Sequence, residues 1–221
     1  MRATVFGLLM ALLFPTFALA EDASETLLPY AIHVHRTPVQ SWTGYGIYLG
    51  DGIFITAAHV VGRAWMTGPK VVIGGIEYPT EVIKEGSFEG TDITLLSVEQ
   101  SLLPMRLQLR KMFLCRSPPF PGQQVVTVIP EGIASSQILD PRRLPRGAGR
   151  FRTVISDVAR TGNSGSGVFD LGQRCLLGIM SRKITAPESR GNARQRRDVA
   201  KYFVPAVDIA NFLPEALRSR F

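Results

Sequence analysis

Short runs of alternating or β-branched apolar residues recur along the first half of the chain, separated by turn residues. Such runs have the length and composition of β-strands. Glycine and aspartate at Gly50, Asp51, Gly74 and Gly75 mark turns between them. The pattern predicts six strands before residue 100, at 30–35, 46–49, 52–56, 70–73, 80–84 and 93–98.

A second set of strand-like runs follows a stretch with little periodicity, 102–122, which contains four prolines. We interpret this stretch as the connection between two barrels, because proline-rich segments without periodicity form loops. The predicted fold is all-β, with two six-stranded antiparallel barrels at about 28–105 and about 118–206. The runs that predict the second barrel lie at 125–129, 151–155, 167–169, 175–180 and 202–204.

Helical spacing of apolar residues near the C-terminus predicts a terminal helix at about 208–218. Asp208 is a suitable N-cap for it, since a carboxylate can accept hydrogen bonds from the first backbone amides. Pro214 is unfavourable inside such a helix. We expect this helix to pack on the second barrel.

Residues 1–20 have the layout of a cleavable signal peptide, with a basic start, an apolar run at 5–13 and small residues before Glu21. The alternative is a transmembrane anchor, but Pro15 interrupts the run, which is short for a span of about 20 residues. We therefore expect a mature domain at 21–221 that is exported to the periplasm or secreted, without a stable membrane anchor.

The composition, with 45% hydrophobic residues, 21 Gly and 15 Pro, fits a turn-rich β protein, so we do not expect a disordered chain. Its two cysteines, Cys115 and Cys175, form either one disulfide, as an oxidising compartment allows, or two buried thiols. A disulfide would close a loop spanning 60 positions.

The net charge of +7 is concentrated in two arginine-rich stretches, 142–152 and 182–201. They are either solvated loops or surfaces for an anionic partner. Aromatic residues do not alternate with the basic ones, so nucleic acid is not expected. The role of 183–201, as a regulatory loop or a self-cleavage site, is open, as is the oligomeric state.

The glycine-rich segment 161–167 reads Thr-Gly-Asn-Ser-Gly-Ser-Gly. A serine between glycines can occupy a tight turn whose amides point the same way, which suits an oxyanion hole. The candidate hole comprises Gly162, Asn163 and Ser164, with the amides of Gly162 and Ser164 as donors. The alternative interpretation is a plain loop.

A histidine and an aspartate could complete such a site. His59 follows a β-branched strand and two alanines, so its imidazole has small neighbours and could act as a general base. Asp92 begins an apolar strand, where a buried carboxylate needs a partner such as the Nδ1–H of His59. The alternatives are a structural histidine and a solvated turn aspartate, and Asp51 and Asp157 are competing carboxylates. His33 and His35 have no acidic neighbour on their strand and are interpreted as structural.

The order His59, Asp92, Ser164, within Thr-Ala-Ala-His, Asp-Ile-Thr-Leu-Leu and Gly-Asn-Ser-Gly-Ser, resembles the trypsin-like, chymotrypsin-fold serine proteases over residues 30–213. The bacterial branch with the HtrA/Deg proteases and glutamyl endopeptidases is the most similar. This resemblance implies a serine endopeptidase that forms an acyl-enzyme on Ser164 and acts on polypeptides without a metal or organic cofactor. Asn163 departs from the aspartate of zymogen-activated animal enzymes, and we do not expect the PDZ domains of HtrA proteins.

The resemblance also indicates a primary substrate pocket, with walls at Val158, Ala159 and Arg160 and at Met180, Ser181, Arg182 and Lys183. Val158 offers no carboxylate for a basic substrate residue. Met180 stands where glutamyl endopeptidases have a histidine, so we expect a small or medium apolar residue before the cut. Two other functions remain open: a catalytically silent binding protein of this fold, and an esterase or acyltransferase with the same three residues.

Overall fold

The computed structural model of the protein describes residues 25–35, 44–144, 150–156, 163–187 and 196–221. Two antiparallel β-sheets account for most of these residues. Within the described ranges, no helix has the length and apolar character needed to span a bilayer. The predicted signal peptide at 1–20 lies outside the described residues.

The first sheet has seven strands in the spatial order β5-β4-β1-β2-β3-β7-β6. Sequence reasoning missed one of them, β5. Two glycines with positive φ, Gly74 and Gly75, turn the chain back directly after β4, and β5 is mostly exposed, so it lacks an apolar pattern. The strands are β1 (Ala31–His35), β2 (Gly44–Gly50), β3 (Ile53–Thr56), β4 (Lys70–Ile73), β5 (Ile76–Pro79), β6 (Glu81–Glu85) and β7 (Thr94–Ser97).

The second sheet has six strands in the order β10-β13-β12-β11-β8-β9. The missed strand here is β9, whose centre is Ala134-Ser135-Ser136, too small and polar to resemble a strand in the sequence. The strands are β8 (Gln124–Ile129), β9 (Gly132–Gln137), β10 (Val154–Ile155), β11 (Gly167–Asp170), β12 (Cys175–Pro187) and β13 (Arg196–Pro205). The all-β prediction with two antiparallel barrels is thus confirmed, with seven and six strands.

The terminal segment forms two short helices instead of the single predicted one. The first begins at Ala206, before Asp208, and a kink at Leu213 and Pro214 separates it from the second, because proline cannot continue the hydrogen-bond ladder. The α-helices are α1 (Ala58–Val61), α2 (Ala64–Thr67), α3 (Met105–Gln108), α4 (Ala206–Phe212) and α5 (Glu215–Arg218), and 3₁₀ turns lie at Leu28–Tyr30, Gln100–Leu102 and Pro141–Arg143.

A shared apolar core joins the two sheets. Ile47, Ile55 and Leu95 of the first sheet lie in the same buried cluster as Val128 and Phe169 of the second. Burial of about 25 cal/mol per Å² of apolar surface makes such a cluster the main force that holds the sheets together. The positions of groups at the junction of the sheets are therefore fixed by core packing.

The connection between the sheets is attached to the second sheet by a disulfide between Cys115 and Cys175, which are 60 positions apart. Backbone hydrogen bonds flank it: the Cys115 amide donates to Leu176 O at 3.0 Å, and the Leu176 amide donates to Phe113 O at 2.8 Å. Of the two alternatives that the sequence left open, one disulfide or two buried thiols, the structure has the disulfide.

Removing this disulfide should lower the free energy of unfolding. For a loop of 60 positions, Cys115→Ala/Cys175→Ala should lose up to about 4 kcal/mol, because the unfolded chain gains conformational entropy. Urea denaturation of both proteins, with and without reductant, measures this loss. Reductant should destabilise the wild type and leave the double variant unchanged, and an equal response of both proteins would contradict the prediction.

Candidate active site

The serine predicted to be the nucleophile lies in a tight turn, 163–166, immediately before β11. The turn is closed by the Ser166 amide, which donates to Asn163 O at 3.0 Å, and by the Ser166 hydroxyl, which donates to the same oxygen at 2.6 Å. Gly165 has φ +86°, a conformation that glycine adopts without cost. The hydroxyl of Ser166 thus has a structural role within the turn.

Both sheets hold this turn through its backbone. The Tyr45 amide on β2 donates to Ser164 O at 2.9 Å, and the Gly165 amide donates to Met180 O on β12 at 2.8 Å. The Met180 amide in turn donates to Ser166 O at 2.8 Å. Ser164 is therefore positioned by hydrogen bonds from both halves of the molecule.

Only glycine fits at position 165. A Cβ on Gly165 would lie 1.9 Å from Tyr45 O and 2.6 Å from Thr56 Oγ1, and both distances are far below contact. Thr56 is held in place because its hydroxyl donates to Tyr45 O at 2.5 Å. The close approach of the two sheets at the serine turn thus depends on the missing side chain.

The histidine and the aspartate of the motifs pair directly. His59 lies in α1, three residues after β3 ends at Thr56, and its Nδ1 is 2.8 Å from Asp92 Oδ2. The His59 backbone amide also donates to Asp92 Oδ1 at 3.0 Å. Two contacts to one carboxylate fix both the position and the orientation of the imidazole, whose side chain remains 30% exposed.

Asp92 is buried, with 1% of its side chain exposed, and accepts a third hydrogen bond from the Ser181 hydroxyl at 2.5 Å. Burial alone would raise the pKa of Asp92, but the hydrogen bonds from the His59 and Ser181 side chains outweigh it and hold this pKa below its ordinary value of 3.8. The carboxylate is therefore ionised at neutral pH. Asp51, a competing carboxylate in the sequence, instead lies near Lys111 and Arg220, and Asp157 is outside the described residues.

The Ser164 hydroxyl faces the same cavity as His59 but donates to Ser181 O, at 3.4 Å. No hydrogen bond joins it to His59, although both residues are in the described part of the chain. Among the described residues, the Ser164 amide donates no hydrogen bond to another backbone group. A change of the serine rotamer would be needed for the hydroxyl to face the imidazole.

His59, Ser164 and Ser181 line a cavity of about 300 Å³. The predicted pocket residues Met180, Ser181, Arg182 and Lys183 all line it, as does Asn163. The opposite predicted wall, Val158, Ala159 and Arg160, and the oxyanion-hole residue Gly162 lie outside the described residues. The complete lining among the described residues is His59, Phe88, Asn163, Ser164, Met180, Ser181, Arg182, Lys183 and Lys201.

Sequence reasoning missed Phe88 and Lys201. The Phe88 ring lies edge-on to the His59 ring, with centroids 5.3 Å apart, and the Arg182 guanidinium lies 3.8 Å from the Phe88 centroid. Phe88 belongs to a loop without any pattern. Lys201 was grouped with the basic stretch 182–201. It lies between apolar residues, Val199-Ala200 and Tyr202-Phe203-Val204, and this position could have indicated that it is buried.

The two remaining histidines are not part of this cavity. His33 Nε2 lies 3.2 Å from Glu131 and His35 Nδ1 lies 3.4 Å from Glu77. Neither glutamate lies on the strand of the histidines, and only folding brings these groups close. Across the described part of the chain, no three His, Cys, Asp or Glu side chains gather as metal ligands would.

Comparison with solved structures identifies the architecture. The inactive form of the Rv3671c protease of M. tuberculosis superimposes with a TM-score of 0.62, over 93% of this chain and 96% of that one, at 18% identity. The protein has the chymotrypsin-like fold. The HtrA-type protease AlgW shares this fold at a TM-score of 0.60 and 19% identity, over 92% of this chain and 64% of that one.

The MamO protease domain of Magnetospirillum magneticum also shares the chymotrypsin-like fold, with a TM-score of 0.57 and 21% identity over 86% of this chain and 98% of that one. No protein-family model matches the sequence, and no curated protein matches it. The resemblance drawn from the sequence motifs is thus confirmed at the level of fold.

Gly165→Ala should distort the serine turn. The added Cβ would collide with Tyr45 O, so we expect a loss of at least about 4 kcal/mol in the free energy of unfolding. Gly75→Ala is the matched control: its φ is +82°, but no atom lies within 4 Å of its Cβ, so it should cost only roughly 1 kcal/mol. Urea denaturation measures both losses, and equal losses would show that the close approach at Gly165 is unimportant.

The low pKa of Asp92 should make stability depend on pH in the acid range. Because the folded state holds this carboxylate ionised more strongly than the unfolded state does, its contribution is present above pH 3.8 and is lost as the pH falls through the lowered folded-state pKa. The stability difference between wild type and Asp92→Asn, from urea denaturation between about pH 6 and pH 2, should therefore shrink with acidification. For the exposed Glu89→Gln control this difference should stay nearly constant, and a constant difference for Asp92→Asn would refute the assignment.

Proposed function

We propose that the protein is a serine endopeptidase that uses Ser164, His59 and Asp92. The observation that carries this proposal is the pair of contacts from His59 to a buried, ionised Asp92, at the edge of a cavity that also contains the Ser164 hydroxyl. A carboxylate in this position holds the imidazole with Nε2 toward the cavity and stabilises the imidazolium. The chymotrypsin-like fold adds support, since the neighbours named above are proteases.

The chemistry follows from these positions. His59 Nε2 takes the proton of Ser164 as Oγ attacks the carbonyl carbon of the substrate, and a negatively charged tetrahedral intermediate forms. The Ser164 amide, together with the Gly162 amide of the proposed oxyanion hole, would donate to the oxyanion. His59 then gives the proton to the leaving amine, and water, activated by the same imidazole, releases the acyl group from Ser164.

Ser181 is proposed to support this reaction without touching the reacting atoms. Its hydroxyl donates to Asp92 and its carbonyl accepts from Ser164, so it links the carboxylate to the nucleophile side of the cavity. When the serine turns toward His59, the Ser181 carbonyl becomes available to a substrate backbone amide. The edge of β12 that follows would then pair with the substrate as an added strand.

A catalytically silent binding protein is the second candidate. The specific observation in its favour is that the Ser164 hydroxyl donates to Ser181 O and not to His59. Catalytic hydrogen bonds are often long or poorly aligned without substrate, so the proposed rotation is compatible with an active enzyme. Chemical reactivity of the serine distinguishes the two candidates.

Ser164→Ala should abolish covalent labelling by a fluorophosphonate, which reacts with activated serines. The matched control is Ser219→Ala, at an exposed position after α5, which should label like the wild type. Labelling that survives in Ser164→Ala would refute the nucleophile assignment. A wild type that is never labelled would favour the binding protein.

His59→Ala and Asp92→Asn should each lower kcat/KM for a peptide substrate by about 10⁴-fold, as for other serine proteases of this arrangement. A casein digest and a peptide assay measure this loss, with thermal unfolding to confirm that the variants remain folded. Hydrolysis of short esters without any cleavage of peptides would instead favour an esterase with the same three residues.

We also propose that the protein is exported. The disulfide between Cys115 and Cys175 requires an oxidising compartment to persist, and the signal-peptide pattern at 1–20 points to the same compartment. Its substrates would then be polypeptides in the periplasm or the external medium.

A further inference from the structure

A second group besides Asp92 contacts the imidazole of His59. The Phe88 ring lies edge-on to it, with an interplanar angle of 76° and centroids 5.3 Å apart, which is a favourable arrangement for two aromatic rings. The contacts of Asp92 with the imidazole are at Nδ1, so the ring can still rotate about them. The His59 side chain is 30% exposed, and a ring packed beside it limits rotamers that point out of the cavity.

The loop between β6 and β7 places Phe88 beside His59. The Gly86 amide donates to Ile93 O at 2.9 Å, which closes the loop, and Asp92 lies in the same loop. Phe88 and the carboxylate therefore reach the imidazole from one segment of the chain. Phe88 is 41% exposed, so the position of its ring depends on few neighbours.

One of these neighbours is Arg182 of β12, in the second sheet. Its guanidinium lies 3.8 Å from the Phe88 ring centroid, and its Nη2 donates to Phe88 O at 2.5 Å. A guanidinium within about 6 Å of a ring centroid is attracted to the ring, and its planar shape allows it to stack. The Phe151 ring centroid is farther away, at 5.8 Å. Arg182 thus holds both the ring and the backbone of Phe88.

These contacts form a closed ring that joins the two sheets. Arg182 Nε donates to Ser181 Oγ at 3.3 Å, and this hydroxyl donates to Asp92 Oδ2 at 2.5 Å. Asp92 contacts His59, His59 contacts Phe88, and Phe88 is held by Arg182. The imidazole is therefore enclosed between a carboxylate and an aromatic ring, and neighbouring residues of β12 hold both of them.

We propose that Arg182 is a positioning residue for the reaction: it fixes Phe88, and Phe88 keeps the His59 imidazole oriented toward the cavity. This inference rests on the proposed endopeptidase function. Arg182 acts through the aromatic ring and exchanges no proton with the substrate. An arginine is needed because lysine has no planar group that can stack on the ring while it donates to the carbonyl.

A double-mutant cycle with Phe88→Leu and Arg182→Met tests this coupling. The substrate is p-nitrophenyl acetate, a short ester that reports the serine and the imidazole without extended contacts to β12. Each single variant should lower kcat about tenfold with little change in KM, since a misplacement of about 1 Å can cost about 10²-fold. The double variant should be no slower than Phe88→Leu, because Arg182 acts through this ring.

Two kinetic results would overturn the proposal. One is an unchanged kcat in Arg182→Met. The other is a pair of independent effects that multiply to about 10²-fold in the double variant. Arg182→Lys keeps the charge without the planar group and should remain impaired, so its complete recovery of kcat would show that stacking on Phe88 is unimportant.

Lys84→Met is the matched control for a merely structural link. Lys84 Nζ donates to Phe212 O at 2.7 Å and lies 4.5 Å from the Phe212 ring centroid, so it makes the same two kinds of contact between β6 and α4. It is not part of the described lining of the cavity, and its loss should change kcat less than about twofold. Equal kinetic losses in Lys84→Met and Arg182→Met would attribute the effect to general destabilisation and refute the positioning role.

Nuclear magnetic resonance of the three histidine imidazoles separates this inference from the proposed function. In Ser164→Ala, the Nδ1 proton of His59 should exchange with water at least about threefold faster once Arg182→Met is added, because the imidazole leaves its position more often. His33 and His35 serve as internal references and should not change. Unchanged exchange at His59 refutes the positioning role, whatever the kinetics. Faster exchange in a protein that hydrolyses neither esters nor peptides supports the positioning role and refutes the proposed function alone.

Discussion

The contact between the Tyr45 amide and the Ser164 carbonyl, together with the close approach at Gly165, is the constraint on which the site depends. Tyr45 belongs to the first sheet and the serine turn to the second. A side chain at position 165 would push the two sheets apart beside Ser164 and His59. The shared apolar core supplies the cohesion between the sheets, and this contact fixes their relative position at the site.

The buried carboxylate of Asp92 also links the two sheets at this site. Asp92 lies two residues before β7 and receives hydrogen bonds from His59 in α1, which follows β3 of the first sheet, and from Ser181 on β12 of the second sheet. An ionised carboxylate at 1% exposure would be costly without these donors, so each partner stabilises the position of the other. The geometry of the site is thus maintained by an electrostatic requirement as well as by packing, since a shift of either sheet would leave the charge insufficiently solvated.

The sequence was sufficient to predict the two-barrel fold and the contact between His59 and Asp92. A carboxylate next to an apolar strand needs a hydrogen-bond partner, and the imidazole was the expected one. The sequence was insufficient for strands whose pattern is weak: β5 is mostly exposed, and β9 is small and polar. Asp92 accepts from Ser181, 89 positions away, and nothing local to either residue signals this contact. Lys201 was misinterpreted because its surroundings in sequence are basic, whereas its surroundings in space are set by strand register.

Strands β12 and β13 pair with each other and supply several of the groups around the cavity. Met180 and Ser181 of β12 hold the serine turn and the carboxylate, while β13, paired residue by residue with β12, brings Lys201 into the same cavity. The β12–β13 register fixes which face of the sheet Lys201 occupies, and Ser181 of β12 donates to Asp92. A slip of one residue between these strands would turn Lys201 to the opposite face of the sheet and remove it from the cavity.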